Sequence, residues 1–142
     1  MNLNLEAFKP IPKVTNHGAS EIEKGRAKAS IRPVKNRPGF ICIYISVEKS
    51  VVNQNVKYEP CVASGCNNLI VLKPQDTGCR FSGSVKNPRL LCVSFDRNKA
   101  FLPELIAQEY ERLNGRKLFL KVKHEGDIYV LYIDNQMALF ND

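Results

Sequence analysis

The residues best suited to do chemistry in this chain are cations. Between Lys24 and Arg37 stand six basic residues, Lys24, Arg26, Lys28, Arg32, Lys35 and Arg37, with no acid among them. Residues 1–40 hold eight Lys or Arg against three Glu, while the remaining residues hold thirteen against eleven acids, so most of the net charge of +7 lies at the start. Concentrated positive charge suits a polyanion, because each cation that meets a phosphate releases condensed counterions. A solvated, solubilising arm has the same composition. A second basic group comes late, where Lys117, Lys121 and Lys123 alternate with Phe119. A cationic stripe around an aromatic ring is a small version of a single-strand-binding surface.

Other chemistry is sparse. Cys61, Cys66, Cys79 and Cys92 are separated by four, twelve and twelve residues, and Cys42 makes the count odd. Zinc would require paired knuckles or histidines at finger spacing, and neither a CxxC pair nor a suitably placed His17 or His124 is present. Cys61 and Cys92 sit in apolar runs, where cysteine serves as a small buried hydrophobe. The start, MNLNLEAFKPIPK, lacks the basic and apolar regions of a signal peptide, so free thiols and a cytoplasmic location are expected. No apolar run is long enough to span a membrane. A Gly-rich phosphate loop, GxSxG, HExxH and paired carboxylates in apolar surroundings are all missing, so the expectation is a non-enzymatic protein without cofactor or metal.

The elements that must position these cations are mostly strands. Residues 1–26 read as a flexible or partly ordered N-terminal arm, with Leu3, Leu5 and Phe8 as the residues that would dock it on the core or on a neighbouring subunit. Residues 27–142 read as one β-rich domain. Residues 29–34 form a first strand carrying Arg32, and Lys35-Asn36-Arg37-Pro38-Gly39 is a basic turn into the apolar strand at 40–45. Ser46 stands where an N-cap would, with Glu48 in the first turn, which predicts a short helix over 47–53. Strands around 61–63 and at 69–72 follow, joined by Ser64-Gly65-Cys66-Asn67-Asn68. Beyond Pro74 come strands at 79–85 and 89–95, an amphipathic helix from Pro103 to Gly115, and a hairpin of strands 117–124 and 128–133. The helix carries Glu104, Glu109 and Glu111 on its outer face, which suits packing rather than phosphate contact. The fold class expected is mainly β (α+β): a small antiparallel β-barrel or half-barrel sheet with one short helix and one longer amphipathic helix.

On these residues the segment 31–73 resembles the AbrB-type swapped-hairpin DNA-binding domain. IRPVKNRPGFICIYIS looks like its first strand pair, SVEKSVVNQN like its short helix, and CVASGCNNLIVLKP like its closing hairpin. The chain departs from the family pattern at Ser46, where proline is usual, and at Asn53-Gln54-Asn55, where a Leu-Gly pair is usual. The resemblance implies a homodimer, because each half-barrel leaves an apolar face for a second chain. It also implies DNA contacts from Arg32, Lys35 and Arg37, with Lys49 a weaker match. The strands after Pro74 have no counterpart in the minimal domain and read as a second half-repeat without residue-level repetition.

The leading functional expectation is therefore a small bacterial or phage transcriptional regulator that binds duplex DNA through Lys24, Arg26, Lys28, Arg32, Lys35, Arg37 and Lys49. The alternatives are a phage-type inhibitor module that occupies a host protein, and a β-barrel single-strand binder using the Lys117–Lys123 stripe.

Overall fold

The strands follow from runs of β-branched and aromatic residues that alternate between two environments. A computed structural model describes residues 3–12, 27–83 and 88–133. The strands are β1 (Phe8–Pro10), β2 (Lys28–Pro33), β3 (Phe40–Glu48), β4 (Lys57–Ala63), β5 (Ile70–Pro74), β6 (Cys79–Arg80), β7 (Ser82–Gly83), β8 (Leu90–Asn98), β9 (Leu118–Glu125) and β10 (Ile128–Tyr132). One α-helix, α1 (Glu104–Arg112), joins them among the described residues. All pairings are antiparallel, in the order β1-β4-β5-β10-β9-β2-β3-β8-β7, with β6 also on β4. The expected mainly antiparallel sheet is thus present, and its ladder path is open. No helix among the described residues is long and apolar enough to cross a membrane.

The short helix expected over 47–53 is not formed. β3 runs on through Ser46, Val47 and Glu48, and only a single 3-10 turn, Lys49–Val51, follows. Ser46 is buried in the ladder opposite Cys92 instead of capping a helix. Val47 is a β-branched core residue, and pairing with Leu91 outweighs the local capping signal. In α1, Pro103 is the N-cap rather than the first helical residue, its carbonyl accepting from the Ala107 N–H. Strand 79–85 is broken into β6 and β7 by the buried Phe81, and residues 84–87 lie outside the described region.

The chain carries an internal two-fold that its side chains largely conceal. β3 and the turn Lys49–Val51 recur fifty positions later as β8 and the turn Lys99–Phe101. The ladder between β3 and β8 runs from Phe40 opposite Asn98 to Glu48 opposite Leu90, with Tyr44 opposite Ser94 at its centre. One backbone bond is repeated at its two ends: the Lys49 N–H donates to Arg89 O at 2.8 Å, and the Lys99 N–H to Gly39 O at 2.9 Å. The remaining strands obey the same symmetry. β2 pairs with β3 and β9, as the 79–83 segment pairs with β8 and β4; β4 pairs with β5 as β9 pairs with β10; and β5 pairs with β10 across the halves. At this spacing Pro38, Cys42 and Lys49 meet Pro88, Cys92 and Lys99. The half-repeat expected after Pro74 is therefore present in the strand pairings, and its trace in residue identities is thin. α1 is an insertion in the second half, where the first half passes directly from its 3-10 turn to β4.

The inward faces of both halves form the main core, which includes Ile31, Ile43, Ile45, Val93, Phe95, Leu118, Leu120, Leu131 and the Tyr58, Phe81 and Tyr129 rings, with Ile106 and Tyr110 of α1. Those three rings pack edge-on or tilted, with centroids 5.5–5.6 Å apart. Residues 3–12 dock on the opposite face of β4, β5 and β10. Phe8 joins Cys61, Val71, Val130 and Tyr132 in a second cluster, with Leu3 and Leu5 against it. The Lys73 ammonium ties this segment down by donating to Leu5 O at 2.7 Å. A buried ion pair joins β8 to β4: Arg97 Nη2 lies 2.9 Å from Glu59 Oε1, with side chains 6% and 4% exposed. Arg97 also donates to Ile11 O and Asp96 O, and Thr77 donates to Glu59. With partners on nearly every polar atom, this pair fixes β8, β4 and the N-terminal segment in one arrangement.

Candidate nucleic-acid interface

The basic turn at 34–39 is held by its own backbone. The Val34 N–H donates to Phe40 O, the Arg37 N–H to Val34 O and the Phe40 N–H to Arg37 O, all at 3.1–3.2 Å. Asn36 and Gly39 take positive φ angles of 64° and 84°, conformations that asparagine and glycine tolerate better than other residues. Lys35 is exposed and Arg37 half-buried. The Arg37 guanidinium lies 4.8 Å from the centroid of the Phe40 ring, which limits the rotamers it can visit. The turn therefore presents two cations from a defined backbone.

Arg32 sits at the root of this hairpin. It is cross-strand from Cys42, which is itself cross-strand from Asp96, so the three share one face of β2, β3 and β8. Arg32 and Asp96 both contact the Cys42 thiol, and burial with the Asp96 charge pushes that thiol up to about 11. Lys28 is exposed at the other end of β2, opposite Ser46. Lys49 lies beyond the C-terminal end of β3, beside Arg89 and far from Lys35 and Arg37 along the ladder. The proposed set is thus divided between two ends of the sheet. Lys24 and Arg26 lie outside the described residues.

Sheet pairing brings the late lysine stripe beside the early hairpin. β9 is hydrogen-bonded to β2, with Phe119 opposite Ser30. Leu118 and Leu120 point into the core, whereas Phe119 and Lys121 are exposed, and the Lys117 ammonium lies 5.5 Å from the Phe119 ring. Phe119 is 61% exposed, more than any other large apolar residue described. Lys28 and Arg32 of β2 therefore flank the same face as Lys117, Phe119 and Lys121 of β9, although nearly ninety residues separate them in sequence. Sequence reading found both groups but had no means of placing them side by side.

Among the described residues no group of three or more His, Cys, Asp or Glu gathers as a metal site would. All five cysteines are free: Cys42, Cys61 and Cys92 are buried, Cys66 is half-buried and Cys79 exposed. His124 stacks on Tyr129 with centroids 4.3 Å apart, at the end of the inward row of β9. Two residues of the basic surface escaped sequence reading, Arg89 and Lys99. Only the backbone bonds from Lys49 to Arg89 and from Lys99 to Gly39 would have drawn attention to them. No family model, curated protein or solved structure matches this chain.

Proposed function

We propose that this protein is a non-enzymatic binder of duplex DNA, acting as a small regulator, with the 28–40 hairpin as its principal contact. The carrying observation is the pairing of β2 with β9, which gathers Lys28, Arg32, Lys117 and Lys121 on one face beside a turn bearing Lys35 and Arg37. Dense cations on a rigid sheet lower the entropic cost of meeting a regular phosphate array, and their partial neutralisation gives steep salt dependence. We assign Lys35 and Arg37 to the DNA and Arg32 to holding the hairpin root through Cys42 and Asp96. We also read the sheet as a barrel of AbrB-like swapped hairpins, with the 79–83 segment as its seam, because that segment pairs with both β4 and β8.

The exposed Phe119 ring supports a second reading, in which unpaired bases stack on β9. Fluorescence anisotropy with random duplex and single-stranded oligonucleotides, at low and moderate salt, separates the two. Duplex binding that weakens steeply with salt, and more than threefold loss in Arg37→Ala, are expected. A single-strand preference abolished by Phe119→Ala would replace the duplex reading, and no binding to either at low salt would remove both.

A further inference from the structure

The two ends of the β3–β8 ladder each carry a group of cations. At the first, Lys35 and Arg37 lie on the 34–39 turn, and Lys99 enters from the other half, its ammonium 3.1 Å from Glu111. At the second, Arg89 immediately precedes β8, Lys49 enters from the first half through the equivalent hydrogen bond, and Lys28 lies close by across from Ser46. Arg89, Lys49 and Lys28 are all exposed, as is Glu48, which stands where Asn98 does at the first pole. In sequence alone, the tripeptide Val-Lys-Asn occurs at 34–36 and again at 85–87.

We infer that Lys49 and Arg89, assisted by Lys28, form a second phosphate-binding site at the opposite end of the β3–β8 ladder from Lys35 and Arg37, with Lys49 standing where Lys99 stands at the first pole, so that one chain spans a duplex with both poles. The inference rests on the duplex reading above and adds the second contact. The poles lie at opposite ends of a nine-residue ladder, so they are roughly 27 Å apart at the usual rise per residue. The turns reach further at each end, bringing the span to the order of one helical turn of DNA, about 34 Å. Duplex backbone has local two-fold symmetry, whereas a single strand has none, and a two-fold pair of cationic poles matches the former. Residues 78–133 supply the strands that a second copy of the first half would supply, so the spanning unit is a monomer.

The test is anisotropy with the full chain on random duplexes of about 20 and about 6 base pairs, the shorter being only ~20 Å long at 3.4 Å per pair. Wild type is compared with Lys35→Glu/Arg37→Glu and Lys49→Glu/Arg89→Glu, each checked for an unchanged circular dichroism spectrum. On the long duplex each double variant is expected to lose at least tenfold in affinity and to flatten the salt dependence by about two phosphate contacts. On the short duplex either variant should lose no more than about twofold, since the remaining pole still serves. The milder pair Lys49→Gln/Arg89→Gln should fall in between and guards against misfolding by charge reversal. Wild-type affinity for the long duplex in the second variant, alongside loss in the first, would overturn the second pole and leave the first intact. A stoichiometry of two chains per site-length duplex would overturn spanning by a monomer. Absence of duplex binding by wild type would remove both readings together.

Discussion

The two halves of this chain have nearly the same backbone and very different side chains. β3 and β8 have equal length, end in equal 3-10 turns and donate the same bond across the sheet. Yet where the second half has Arg97 the first has Val47, and where the first has Glu59 the second has Lys121. The Glu59–Arg97 pair consequently exists at one end only. The lesson is that main-chain pairing, together with an apolar inward face, suffices to preserve the architecture. Outward and peripheral positions differ: Glu59 of the first half and Arg97 of the second form a buried ionic clamp, whereas their counterparts are Lys121 and Val47.

The strongest way to break this comparison is at the clamp. Removing Glu59 strands the Arg97 guanidinium in a buried site, and Glu59→Ala is expected to cost about 3–5 kcal/mol in urea unfolding. The symmetry-related Lys121→Ala lies on the surface and should stay within about 0.5 kcal/mol. Equal costs would show that the ion pair contributes nothing distinctive.

The next largest effect is expected where the 76–80 segment meets β4. A Cβ at Gly78 would lie 2.2 Å from the Tyr58 carbonyl oxygen, so the 76–80 segment can approach β4 only with glycine there. Its counterpart in the first half is Lys28, whose exposed side chain meets no such backbone. Gly78→Ala should therefore cost about 1–3 kcal/mol through enforced displacement, and Lys28→Ala less than about 0.5 kcal/mol. A thermal midpoint unchanged by Gly78→Ala would mean that the close approach of the 76–80 segment to β4 contributes nothing to stability.

The smallest effect concerns the cysteines. Cys42 and Cys92 occupy equivalent buried positions, and burial raises both thiols, whereas Cys79 on β6 is exposed. At pH 8 a thiol reagent should modify Cys79 first, while Cys42 and Cys61 react only on unfolding. Burial pushes Cys42 and Cys61 up to about 11 and Tyr129 up to about 12, so the folded state favours their neutral forms. That contribution is complete below the ordinary values of 9.0 for the thiols and 10.0 for the phenol, and it disappears as pH climbs through the folded values. Stability should accordingly fall between about pH 9 and pH 12, as denaturation midpoints would register. Rapid labelling of Cys42 at pH 8 would contradict the burial of that face.

Much of this molecule was legible in its amino-acid order. The alternation in 117–124, the turn residues Gly126-Asp127, the apolar run after Gly39 and the Pro103–Gly115 helix each encode their structure through contacts a few residues apart, and each is found where expected. The docking of Leu3, Leu5 and Phe8 was likewise visible as apolar residues in an otherwise polar start. The short helix misled because a capping signal is local, whereas the strand that replaced it is stabilised by β8, more than forty residues away. The internal two-fold lay in hydrogen bonds that any residue can make, so few side chains recorded it. Only tertiary pairing decided that Lys121 stands near Lys28 and that Lys49 belongs with Arg89. Charge type is written residue by residue, but the distance between charges is set by which strands pair.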